Sequence, residues 1–196
     1  MTLARLPSIC LTIGMSTDWL VGNRDDAARD RILDAAATLI VRRGLSGLDI
    51  RELASRVHCS RATIYRHTGG KRAIVEAVFT RTSERIITVV REAALHYSGV
   101  DRVRVVVRTG LREVRRDQVI RSYLQSPNAL AQAGAVMESA AVLRIAGELI
   151  GAHSTSPETA WMVRGVLSLL YWPPSDPSQE EELLEQLVAV GVRRRT

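Results

Sequence analysis

Asp49-Ile-Arg-Glu-Leu-Ala-Ser-Arg-Val-His-Cys-Ser-Arg-Ala-Thr-Ile-Tyr-Arg-His67 reads as two short helices joined by a tight turn. Asp49 is a good helix N-cap, and Glu52, three residues on, completes the pattern of a capping box. Ile50, Leu53, Ala54 and Val57 recur at helical spacing and make one apolar face. After a turn at His58-Cys59, Ser60 is a second N-cap. Ala62, Ile64 and Tyr65 then offer apolar surface, and Arg61, Thr63, Arg66 and His67 remain as outward donors. This is the pattern of a helix-turn-helix, whose second helix enters the major groove of DNA. An ordinary pair of amphipathic helices with a basic face has the same pattern.

Charge favours the first alternative. The chain of 196 residues carries a net charge of +6, unevenly spread. Residues 42–72 hold Arg42, Arg43, Arg51, Arg56, Arg61, Arg66, Lys71 and Arg72 against only Asp49 and Glu52, an excess equal to that of the whole chain. A local basic patch points to a polyanion, either nucleic acid or an anionic membrane surface. Cys10 and Cys59 form no disulfide framework, and His58, His67, His96 and His153 pair with no acid or thiol at metal-ligand spacing. No Gly-rich phosphate loop, nucleophile elbow or catalytic constellation is present. The expectations are therefore no enzyme activity, no catalytic residue, no metal and no cofactor, in a reduced, cytoplasmic setting.

Several blocks carry a family resemblance in order: Arg31-Ile-Leu-Asp-Ala-Ala-Ala-Thr-Leu-Ile40, Arg43-Gly44, Ile50-Arg-Glu-Leu-Ala54, Ser60-Arg-Ala-Thr-Ile-Tyr-Arg-His67 and Lys71. Over roughly residues 24–80 the chain resembles the N-terminal domain of TetR-type (TetR/AcrR family) transcriptional regulators. Two positions depart from the usual pattern. His58 stands where a glycine is common, which predicts strain at a left-handed turn residue. Thr68 stands where an aromatic or apolar residue usually follows the histidine, which removes a packing anchor.

The rest of the chain reads as all-α. Residues 1–22, broken by Pro7 and Gly14, form a flexible extension too short for a membrane span, with Trp19 docking locally. A first helix runs from about Asp25 to Arg43, ended by Gly44, with Arg24 and Arg29 either simply solvated or in reach of a phosphate. After Gly69-Gly70, a long helix runs from Lys71 to His96. Helices follow over 100–117, 119–125 and 127–151, the last rich in Ala and Gly. Trp161–Trp172 is apolar on nearly every side and must be covered on nearly every side. A final helix, 178–192, begins acidic and is followed by Arg193, Arg194 and Arg195. Within the helix expected over 100–117, Arg104, Arg108, Arg112 and Arg115 share one face, either an anion site or an ion-paired surface.

The resemblance then implies an N-terminal three-helix DNA-binding domain, 23–70, and a helical effector-binding and dimerisation domain, 71–196. It implies a homodimer acting on a double-stranded DNA operator, with a small-molecule effector and no membrane partner. Ser60 and Tyr65 would hold the recognition helix against the DNA backbone, and Thr63, His67 and Lys71 would contact phosphates. Arg61, Ala62 and Arg66 would face base edges, and Arg51 completes the set. Arg108, Tyr123 and Trp161 are candidates for the effector, and Trp161, Val166, Leu169, Leu170, Leu184, Leu187 and Val188 for the dimer interface. The expected function is a repressor released by a small, largely apolar effector. The alternative is an effector-independent architectural or occlusion protein of the same fold, and a cavity among the central helices would decide between them.

Overall fold

The computed structural model describes residues 18–127 and 129–192. The tail ahead of residue 18, with Cys10, lies outside the described residues, as do Arg193, Arg194 and Arg195 and the side chains of Trp19 and Arg24. The described chain is all helical: α1 (Asp18–Arg43), α2 (Ile50–Arg56), α3 (Arg61–Thr68), α4 (Lys71–Ala93), α5 (Gly99–Arg116), α6 (Gln118–Leu124), α7 (Ala129–Glu138), α8 (Ala140–Ile150), α9 (Pro157–Tyr171) and α10 (Pro177–Val192).

Local chemistry explains most of these boundaries. Gly44, at φ 72°, stops α1, and its N–H donates to Ile40 O at 2.8 Å. Ser139 breaks the expected 127–151 helix in two: its backbone leaves the helical region and its Oγ accepts from Val142 N–H. The long helix ends at Ala93, three residues short of His96. At the other end of the chain α1 begins at Asp18, seven residues before the expected start at Asp25.

Two apolar cores lie along α4. The N-terminal core gathers Ile32, Leu33, Ala36, Leu39 and Ile40 from α1 with Leu53 and Ile64 from the two short helices. It also takes Ile74 and Val78 from α4 and Val119 from α6. The second core joins Ile86 and Val90, further along α4, to Val103, Val107 and Leu111 of α5 and to buried residues of α8, α9 and α10. α4 therefore belongs to both cores. α6 also touches both, with Val119 in the first and Ile120 in the second. It is pinned by Ser122 Oγ, which donates to Ile40 O at 3.4 Å, and by Tyr123, stacked on Phe79 of α4 with ring centroids 4.3 Å apart. At the head of α6, Arg85 of α4 pairs with Asp117 at 2.8 Å.

The last two helices cross closely. A Cβ on Gly165 of α9 would lie 2.3 Å from Leu187 Cδ1 of α10, so the missing side chain is what admits Leu187. Leu169, Leu184, Leu187 and Val188 are buried inside the single chain, and Val166 packs against the same core. Within the chain these residues, with Leu170, pack in the second core alongside α5 and α8. Trp161, also expected at the interface, is exposed, as are Trp172, Leu183 and Val190.

Candidate nucleic-acid interface

The interface begins with two caps. Asp49, in extended backbone, accepts the N–H groups of Arg51 and Glu52, and these hold its carboxyl below the ordinary value. The capping box is only half formed, because Glu52 turns away to Arg43 at 2.7 Å and Arg56 at 3.2 Å. One carboxylate offsets only one of these two guanidinium charges, so Arg43, Arg56 and Glu52 together stay cationic. Ser60 Oγ accepts Thr63 N–H at 3.1 Å and starts α3. Between the caps, His58 takes φ 53°, the left-handed conformation for which glycine is the unstrained choice.

Thr68 is buried, but it does not leave a hole with an unsatisfied group. Its hydroxyl donates to Ile64 O at 2.7 Å, and Gly70 N–H reaches its oxygen at 3.5 Å. Gly69 then ends α3 at φ 80°. Gly70 follows at φ 101°, and a Cβ there would lie 2.7 Å from Tyr65 Cε1. The glycine pair thus lets α4 leave sharply while the Tyr65 ring lies over the turn, 55% exposed.

These turns create a concave surface of about 660 Å³ lined by Asp49, Ile50, Arg51, Ser60, Arg61, Ala62, Tyr65 and Lys71 among others. Six of the nine expected contact residues meet there: Arg51, Ser60, Arg61, Ala62, Tyr65 and Lys71. Arg51 and Arg61 are exposed and have no acidic partner among the described residues. Lys71 donates to Ser46 O at 2.9 Å, which fixes its ammonium at the start of α4.

The other three stand apart. Thr63 is half-buried, its hydroxyl 2.9 Å from Ser60 Oγ. His67 departs furthest from expectation: its side chain is only 10% exposed and faces Asp25 of α1 at 3.8 Å. Its Nε2 lies 3.2 Å from an Arg66 guanidinium nitrogen. An arginine is only a donor, so this contact makes Nε2 the acceptor. His67 is therefore turned toward α1 and Arg66, while Arg66 itself is exposed. Helical spacing put His67 on the outward side, but packing of α1 over the end of α3 decided otherwise.

A second feature lies about 29 Å further along α4, counted as nineteen residues from Lys71 to Val90 at ~1.5 Å each. It is an apolar cavity of about 290 Å³ between α4, α5, α7, α8 and α9. Ile86, Ile87 and Val90 of α4 form one wall, and Gly110, Val142 and Val163 stand on others. Arg108, Tyr123 and Trp161, the expected effector contacts, are not on its walls. Arg108 faces α10, paired with Glu181 and, at 3.1 Å, with Glu185. Arg104 and Arg115 are paired likewise with Glu185 and Glu180, so this arginine row is an ion-paired surface. Tyr123 is held against Phe79, its hydroxyl pushed up by burial. Trp161 is 47% exposed. The wall residues were unmarked in the sequence because Val, Ile and Leu at helical spacing are what any core needs. Among the described residues, no helix is long and apolar enough to cross a membrane, and no acid, His or Cys group is arranged to hold a metal.

Residues 32–78 match the family model described as bacterial regulatory proteins, tetR family. The chain is 28% identical over 182 residues to an uncharacterized HTH-type transcriptional regulator of Mycobacterium tuberculosis, covering 88% of this chain and 89% of that one. It also resembles the solved structure of the TetR family repressor AlkX from Dietzia (24% identity, TM-score 0.55, 83% of this chain and 91% of that one). The repressor QsdR of Rhodococcus erythropolis is similar in fold at 22% identity and TM-score 0.56, over 85% of this chain and 95% of that one. Residues 32–78, which hold the capped helix-turn-helix and its unpaired arginines, thus carry the N-terminal domain of the tetR family, and over most of its length the chain is similar to an HTH-type transcriptional regulator.

Proposed function

We propose that the protein is a homodimeric repressor, bound to a double-stranded operator and released from it by a small, largely apolar effector held in the cavity. The observation that carries this reading is the cavity of about 290 Å³ walled by α4, the helix that also supports the recognition unit. A filled core would have favoured the effector-independent reading. Residues 23–70 serve as the DNA-binding domain and 71–196 as the effector-binding and dimerisation domain, with α4 and α6 shared between the cores.

In this reading the DNA is read as two half-sites, because one short helix makes few base contacts and a dimer doubles them. The exposed apolar side chains Trp161 of α9, Trp172 just beyond it, and Leu183 and Val190 of α10 supply the contact between copies. Arg61, Ala62 and Arg66 face base edges, and Arg51, Ser60, Tyr65 and Lys71 hold the backbone. Release needs an effector that binds the DNA-incompetent spacing more tightly than the competent one; tight binding alone shifts nothing. A ligand pressing on Ile86, Ile87 and Val90 moves the far part of α4, while Ile74 and Val78 carry the motion to the recognition unit.

The test is to select bound fragments from the genome of origin and then titrate cavity ligands against the protein–operator complex. Release by a ligand that binds the cavity supports the reading. A ligand that saturates the cavity and leaves operator affinity unchanged overturns it.

A further inference from the structure

We infer that the cavity takes an uncharged aliphatic molecule with no hydrogen-bonding head, and that Gly110 sets its size limit; this rests on the reading of the same cavity as the effector site. The walls are Val, Ile, Leu, Met, Ala and Gly alone, with no side-chain nitrogen or oxygen and no aromatic ring. A polar group buried there would lose water and find no side-chain partner. A planar aromatic ligand would find no ring to stack on.

Several charges carried by the surrounding helices are committed elsewhere. Arg91 of α4 pairs with Glu148 of α8 at 2.9 Å. Arg102 donates to Leu149 O and Ala94 O, Arg104 meets Glu185, and Arg164 donates to Ala160 O. None of these four is on the cavity wall to neutralise a carboxylate or an amine. The volume is that of roughly ten waters, in surroundings where apolar cavities stay dry and accept apolar guests.

Gly110 supplies the remaining argument. It lies inside α5, where glycine is a poorer helix former than alanine. Its backbone does not need the freedom of glycine, since it is not among the positive-φ residues. Its neighbours do not need the space either, since a Cβ would meet only Val90 Cγ2, at 4.0 Å. What the absent side chain preserves is room in the cavity.

The test is direct binding to the purified full chain, without DNA. n-Octane should saturate a single site, and octanoate at a pH where it is ionised should bind roughly 100-fold more weakly. Gly110→Ala should weaken octane roughly tenfold, and Gly110→Leu should abolish binding. Thermal melting of both variants identifies any that fails to fold, and the graded Ala variant keeps the test open in that case. Octanoate binding as tightly as octane, or a folded Gly110→Ala and Gly110→Leu pair binding octane as the parent does, overturns the inference. Octane that binds without releasing operator supports this ligand class and defeats the regulatory reading. Release by a charged ligand seated in the cavity does the reverse.

Discussion

Alanine in place of Gly110 and alanine in place of Gly165 add the same methyl group to the interior of a helix, and the surroundings give the two substitutions opposite signs. Helix propensity favours alanine over glycine by about 0.8–1.0 kcal/mol at either position. At Gly110 the new Cβ lies 4.0 Å from Val90 Cγ2, an ordinary contact, so that gain is kept. Covering a little cavity wall adds a few tenths, for a net stabilisation of about 1 kcal/mol. At Gly165 the new Cβ lies 2.3 Å from Leu187 Cδ1, 2.8 Å from Cδ2 and 3.1 Å from Cγ. The whole head of a buried side chain is in the way, not a free end. Overpacking of this kind costs about 1–3 kcal/mol, which leaves a net destabilisation of about 1 kcal/mol after the propensity gain. The two variants should thus melt apart by roughly 4–8 °C for a chain of this size. Urea unfolding followed by circular dichroism, at one fixed chain concentration, measures both, since association would otherwise shift the midpoints. If both variants move in the same direction by similar amounts, propensity alone governs and the reading of the α9–α10 crossing and of the cavity wall is refuted.

Arg61→Ala should weaken operator binding by about 1–3 kcal/mol; equal loss on operator and random DNA would remove its base-reading role. Lys71→Ala should lower the salt slope of binding by about one unit, and an unchanged slope would remove the phosphate contact. Asp49 has a carboxyl held below its ordinary value of 3.8, first by Arg51 N–H and then by Glu52 N–H. Its contribution is therefore complete above the unfolded-state value and lost as pH falls through the lower folded one. Below about pH 4, the parent should lose stability more steeply than Asp49→Asn in acid unfolding; parallel curves would contradict this. Trp172→Glu, at a side chain 64% exposed, should shift the sedimentation profile from dimer to monomer while leaving the melting cooperative. A dimer that persists would move the interface away from Trp172. Arg108→Ala should leave effector affinity unchanged, because its guanidinium faces α10; a loss of affinity would place it in the effector site after all.

The recognition unit was legible because its signals act over a few residues. Asp49 and Ser60 close their own helix ends, and Gly69-Gly70 open the next turn, with partners no more than five residues away. His58 announced its left-handed backbone by standing where glycine is usual. Ser139 carried the same kind of signal, a serine able to cap α8, but it was masked by the helical spacing of alanines on both sides. The placement of His67 was not legible, because its side chain faces Asp25, forty-two residues earlier.

The amino-acid sequence alone determined the helical class, the helix-turn-helix and its basic face, since periodicity, capping and charge are local properties. It also showed that the Trp161–Trp172 segment carries more apolar surface than one face can use. Which of that surface turns inward was decided only by tertiary packing: Leu187 enters the space left by Gly165, and Trp161, Trp172, Leu183 and Val190 are left outside. The arginines of α5 acquired a role only when α10 brought Glu180, Glu181 and Glu185 beside them. The cavity is the clearest case. It is a volume that five helices fail to fill, and no single residue encodes such a volume until the helices around it have packed.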